Sequence, residues 1–148
     1  FENGQGSWVV GDVSDDATAG IWELAEPVAT YNDEGFQLQP ESDNTLNGSY
    51  CFITGNGYED GNGGFDDVDN GKTTILSPIF DLSSFEEVLV SYWYWYTNNI
   101  GDNGGNDSWQ VEVSNNSGNT WIDLHVSSSS DIQWNKVQYL LQLLILQL

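Results

Sequence analysis

Basic side chains are nearly missing from this sequence: Lys72 and Lys136 are all of its Lys and Arg, against 23 Asp plus Glu, for a formal charge of −21. A phosphate backbone is bound by Lys and Arg that displace its counterions, so nucleic-acid binding is excluded as a function class. Anionic membrane surfaces are excluded on the same ground. There is one Cys, Cys51, so no internal disulfide forms, and one His, His125. Without a second His or Cys no transition-metal cluster assembles, and any Ser-His-Asp or Cys-His arrangement has to use His125. Cys51 lies in the β-prone run Tyr50-Cys51-Phe52-Ile53-Thr54 and reads as a small buried hydrophobe. No apolar run reaches the about 20 residues of a membrane-spanning helix. No signal peptide is visible ahead of Phe1-Glu2-Asn3-Gly4, which fits a processed product or a domain excised from something longer.

What is abundant points to strands. Aromatic residues make up 14% of the 148 positions, too many for a disordered acidic tail. The counts of 16 Gly, 15 Asn, 14 Asp and 15 Ser supply turns at short intervals, while Ala is sparse and Met absent. Strand-formers cut by such clusters predict an all-β, antiparallel sandwich or barrel, read as one domain over residues 1–148. The expected strands are Trp8–Val10, Ile21–Glu23, Tyr50–Thr54, Lys72–Ser77, Val88–Thr97, Ser108–Ser114, Thr120–Val126 and Trp134 to about Leu144. The loop 98–106 and the turn Asn115–Asn119 join three of these into an expected antiparallel meander.

Alternation along a strand assigns faces. Tyr92, Tyr94 and Tyr96 share one side of their strand, with Trp93 and Trp95 on the other. Trp109, Val111 and Val113 face one way in the next strand. Ile122, Leu124 and Val126 are expected inward in the one after, leaving Trp121, Asp123 and His125 outside, with no nucleophile beside the His. A row of Tyr rings is either core or a platform for sugar rings, so Tyr92, Tyr94 and Tyr96 are the candidate ligand-binding residues. The segment 140–148 is a Leu-rich, uncharged tail that reads as a continuing strand or an amphipathic helix.

Several blocks in order carry a family resemblance. They are Phe1-Glu2, Trp8, Gly20-Ile21-Trp22-Glu23 with Pro27-Val28, Gln39-Pro40-Glu41-Ser42-Asp43-Asn44-Thr45, and Gly48 to Asn56. They continue with Asp67 to Pro78, Phe80-Asp81-Leu82-Ser83, Ser91 to Tyr96, Asp107-Ser108-Trp109, Val113-Ser114-Asn115 and Gly118-Asn119-Thr120-Trp121. Over about residues 1–139 the chain resembles the MAM-like jelly roll of immune-inhibitor-A-type secreted bacterial peptidases. The resemblance implies a jelly-roll β-sandwich, non-catalytic and extracellular, serving as an accessory module of a larger secreted protein. It also implies structural cations at the sheet ends, with Glu2 and Asp43 at the cation position. The family continues past the strand led by Trp134 to a further strand or two and a closing Asp-Asp-Phe-like segment, which this sequence does not have.

Calcium takes six to eight oxygen ligands, and acidic Gly- and Asn-rich loops supply them. The stretch Asp60–Gly71 is such a loop but not an EF-hand, because with Asp67 as first position the twelfth is Pro78. A looser Ca2+ site on Asp67 and Asp69 is the expectation; a solvated acidic surface adapted to salt is the alternative. The functional expectation is attachment, to a parent secreted protein, to a polysaccharide or to its own copies. A self-assembling filament or sheath subunit, completed by a neighbour's strand, is the alternative reading, and a carbohydrate-binding module of a secreted hydrolase the more remote one. The sequons at Asn47, Asn106 and Asn115 are expected by chance in so Asn-rich a chain.

Overall fold

The computed structural model describes residues 1–57, 67–99 and 104–142. Among them it is all-β: ten strands, every pairing antiparallel, with no helix and no closed barrel, consistent with the expected β-sandwich. The chain divides into two compact units, Phe1–Pro78 with Asn99–Asn103, and Ile79–Asn98 with Gly104–Leu148.

The first unit is built from short pieces. Strand β1 (Val9–Val10) pairs with β6 (Ile75–Leu76), β2 (Trp22–Ala25) with β5 (Cys51–Thr54), and β3 (Thr30–Tyr31) with β4 (Gln37–Gln39). Strands β3 and β4 were not expected, since neither is long enough to show an alternation. Leu38 and Ile53 are buried apolar side chains of this unit, together with Pro27 and Pro40, and buried Thr30 and Asn56 join them. Asn56 works as a bracket. Its Oδ1 accepts from the Val28 amide at 2.8 Å and from Gln39 Nε2 at 2.9 Å, while its Nδ2 donates to the Glu26 carbonyl at 3.0 Å. Two carboxylates close the ends of other strands. Asp15 accepts from the Thr74 amide at 2.8 Å and hydroxyl at 2.6 Å, and Asp16 accepts from the Lys72 amide at 2.9 Å. Gly20, at φ +64°, sits so close to Asp67 that an added Cβ would lie 2.5 Å from its carbonyl oxygen, an approach only glycine permits.

The second unit has long strands. Strand β7 (Glu87–Tyr96) runs against β10 (Asp131–Gln142) with Asn135 opposite Tyr94 through Gln142 opposite Glu87, and β8 (Trp109–Val113) forms a hairpin with β9 (Ile122–Ser127). This corrects the expected meander: the ladder partner of β7 is β10, and β8 and β9 form a sheet of their own. The connection between β7 and β8 carries the chain from one sheet to the other, and Asn98 anchors it. Its Nδ2 donates to the carbonyls of Asp107 at 2.6 Å and Ser128 at 3.2 Å, and its Oδ1 accepts from the Asp107 amide at 3.2 Å. Tyr139 to Gln142 continue β10, the strand outcome for the start of the Leu-rich tail; residues 143–148 lie outside the described residues.

A bulge in β9 overturns the expected faces. Val111 pairs with His125 but Glu112 pairs with Asp123, so Leu124 is the extra residue and the parity changes there. His125 therefore shares a face with Val111 and Trp109, while Val126, expected inside, is 56% exposed. Asp123 remains on the outer face, accepting from Gln110 Nε2 at 2.6 Å.

Candidate functional site

The N-terminal turn brings two of the expected cation ligands together. The Phe1 ring meets Trp8 and Phe52 edge-on at centroid distances of 5.5 and 4.9 Å. That anchor lays Glu2 along the entry to β5, where its carboxylate accepts from the amides of Ser49 at 3.0 Å and Tyr50 at 3.1 Å. Asp43 opens the preceding turn by accepting from the Thr45 amide at 3.0 Å, and the Thr45 carbonyl accepts from Gly48 N at 2.8 Å. Both acids then converge on Gly48: a methyl group added there would sit 2.6 Å from Asp43 Oδ2 and 3.1 Å from Glu2 Oε1. The electrostatics of Cys51 record the same convergence. Burial first, then the charges of Asp43 and Glu2, push its thiol up to about 11, against a small opposing pull from the N-terminal ammonium. A shift in this direction favours the protonated thiol over the thiolate.

Hard carboxylate oxygens are the donors a calcium ion takes, and Glu2 and Asp43 lie against Gly48, where any side chain would collide with Asp43 Oδ2. The remaining ligands have to be carbonyls or water, since among the described residues no group of three or more His, Cys, Asp or Glu side chains comes together. A shallow concavity of about 360 Å³ lies on the Glu2 side, lined by residues Phe1 to Trp8 and by Pro78; Asp43 does not line it.

Asp67 and Asp69 lie elsewhere in the same unit and are held through their main chains. The Asp69 carbonyl accepts from the Thr18 amide at 2.8 Å, residue 69 bridges Ala19, and the Asp67 carbonyl lies against Gly20. The part of the acidic loop from residue 58 to 66 lies outside the described residues.

Tyr92, Tyr94 and Tyr96 turn toward the β8–β9 sheet of their own unit. Tyr94 stacks on Trp109 at 5.2 Å and meets His125 edge-on at 5.1 Å, and Tyr96 lies 6.1 Å from Trp109. Tyr92 Oη is hydrogen-bonded to His125 Nδ1 at 2.8 Å, and Tyr139 of β10 reaches the same imidazole at 6.5 Å. Burial pushes the phenols of Tyr92 and Tyr96 up to about 12. These half-buried rings pack against β8 and β9, and His125 is part of that packing and not an outer-face residue. The opposite face of β7 presents Trp93, 47% exposed, with the Lys136 ammonium 5.9 Å from its ring centre.

The backbone-holding residues Asp15, Asp16, Asn56 and Asn98 were not singled out from sequence. One signal was there for Asn56, which stands between Gly55 and Gly57. No family, curated protein or solved structure matches the chain.

Proposed function

We propose that this chain is a non-catalytic extracellular attachment module, a β-sandwich stabilised by calcium and carried by a larger secreted protein. The observation that carries the reading is the convergence of Glu2 and Asp43 on Gly48. These residues are 41 positions apart in the chain, and the MAM-like resemblance pairs them at a cation. Glu2 and Asp43 hold the ion, and the ion neutralises two carboxylates in a molecule of charge −21. It ties the N-terminal turn to β5, so calcium acts here as a structural link and takes no part in chemistry.

The test is thermal unfolding with sedimentation, in millimolar calcium and in chelator at fixed ionic strength. The expected result is a calcium-dependent rise in melting temperature at unchanged mass, lost in Asp43→Asn. No response to calcium in the wild-type chain overturns the cation, and growth to a defined oligomer replaces the module with the self-assembling subunit.

A further inference from the structure

The sequence contains six Asn-Gly steps, and four of them lie wholly within the described residues: Asn3-Gly4, Asn47-Gly48, Asn56-Gly57 and Asn70-Gly71. Such a step is chemically labile because an unhindered glycine nitrogen can attack the asparagine side chain. The structure treats the four differently. At Asn3 and Asn47 the attacking nitrogen is occupied, since Gly4 N donates to the Phe1 carbonyl at 2.9 Å and Gly48 N to the Thr45 carbonyl at 2.8 Å. Asn56 is only 6% exposed, and its amide is held by three hydrogen bonds. Asn70 has neither protection. It is exposed, its amide makes one hydrogen bond, Nδ2 to Thr18 Oγ1 at 3.0 Å, and among the described residues Gly71 N has no acceptor.

What holds Asn70 is its conformation. At φ 58° it lies in the left-handed region, where ψ of about 30–60° turns the following nitrogen away from the side chain. Reaction requires leaving that region, and the Thr18 bond opposes this. Thr18 is itself fixed, its amide donating to the Asp69 carbonyl at 2.8 Å and its hydroxyl to the same oxygen at 3.4 Å.

We propose that Asn70 is the first of these four positions to be modified, by deamidation, and that Thr18 is the gate. Gly71 N bonds to Asn70 Cγ, the bond from Cγ to the amide nitrogen breaks, and ammonia leaves with the proton from Gly71. Water then opens the five-membered imide at either carbonyl, giving aspartate or isoaspartate. The isoaspartate route inserts a methylene into the main chain between the Ala19–Asp69 bridge and the bond from Lys72 N to Asp16. Gly71 there lies against Asp16 with no room for added bulk. Both products place a new carboxylate beside Asp69, so the modification loosens the seam between residues 16–20 and 67–72.

Peptide mapping that resolves isoaspartate, on folded protein aged in mildly alkaline buffer and on urea-unfolded protein, tests this. In the folded chain Asn70 is expected to lead the four positions, and in urea the ranking is expected to collapse because the reacting dipeptide is the same. Thr18→Val is expected to speed loss of the Asn70 amide several-fold while Asn56 stays unchanged; Thr18→Ser, which keeps the hydroxyl, is expected to match wild type. Another described step leading in the folded wild-type chain overturns the proposal, as does an Asn70 rate indifferent to Thr18→Val. If Thr18→Val unfolds the protein, Asn56 accelerates as well, and the wild-type ranking with Thr18→Ser decides.

Discussion

The two units draw on the same turn-rich, aromatic composition and hold their strands in different ways. Among the described residues of the unit containing β1 to β6 no strand exceeds four residues, so the ladders contribute few hydrogen bonds, and side chains of Asp15, Asp16, Glu2 and Asn56 take over by accepting from backbone amides far along the chain. In the unit containing β7 to β10 the strands reach ten and twelve residues, and a layer of rings from Tyr92, Tyr94, Tyr96, Trp109 and Tyr139 fills the space between two sheets. Polar brackets are directional and tolerate little change, whereas ring packing is spread over many contacts. Short strands are thus affordable where carboxylates and amides replace ladder bonds, and the acid-rich composition has a structural use besides solvation.

The sharpest way to break this contrast is to remove the centre of the ring layer. Trp109→Ala deletes the stack on Tyr94 and the contact with Tyr96, and truncating a large packed aromatic costs about 3 kcal/mol. Urea unfolding followed by near-UV circular dichroism is expected to show that loss. The bracket residues come next. Asn56→Ala strands the Val28 amide and the Glu26 carbonyl, and Asn98→Ala strands the carbonyls of Asp107 and Ser128. Each is expected to cost about 1 kcal/mol, the lower end of the penalty for unpaired polar groups, because these bonds are only part-buried. If Asn98→Ala proves harmless, the β7-to-β8 crossing is held by something other than its anchor.

Titration sharpens the contrast with smaller effects, because the groups concerned are largely or partly open to solvent. Burial alone would raise the Asp15 carboxyl, but hydrogen bonds from the Thr74 hydroxyl and amide and the Asp12 amide outweigh it and hold the group below 3.8. A lowered folded-state value means stability that is present above 3.8 and is lost as pH falls through the folded value. For Tyr92, burial followed by the nearby Tyr139 raises the phenol from 10.0 to about 12, and for Tyr96 burial followed by Asp107 does the same. Their contribution is complete below pH 10 and is lost as pH rises toward 12. Residue-resolved amide exchange across pH is therefore expected to open the β1–β6 seam first in acid and the β7–β10 unit first in alkali. Asp15→Asn flattens the acid edge, and Tyr92→Phe, which also forfeits the bond to His125 for about 1 kcal/mol, moves the alkaline edge upward. Both edges opening the same unit first would dissolve the distinction.

How much of this was legible in the sequence follows the same division. The alternation along this strand is written in the residues, and the structure repeats it as alternating exposed and half-buried positions from Glu87 to Tyr94, after which Trp95 and Tyr96 are both half-buried. Strands β3 and β4 were not legible, because Thr30–Tyr31 and Gln37–Gln39 are too short to carry a period and form only around the Asn32 turn, whose Oδ1 accepts from the Glu34 and Phe36 amides. The Glu2–Asp43 pairing came from resemblance alone, since composition does not say which of 23 acids meet. The role of Asp15 depends on a partner 59 residues away, and that of Asn98 on partners 9 and 30 residues away across a loop, so neither leaves a local pattern.

The smallest expected effect tests the face of β9 on which strict alternation and the structure differ. A strict period of two from Ile122 puts Val126 in the interior and predicts a costly loss on polar substitution. With Leu124 as the extra residue, Val126 points outward, and Val126→Thr keeps the β-branched shape that a strand favours. The substitution is then expected to change stability by no more than about 0.5 kcal/mol, as for surface positions generally. His125→Ala, three atoms along the same backbone, is expected to cost more because it removes the partner of Tyr92 Oη and the edge contact to Tyr94. The order of these two neighbours in urea unfolding reads out the bulge directly: a larger loss at residue 126 than at 125 would return the strand to unbroken alternation and take His125 out of the ring layer.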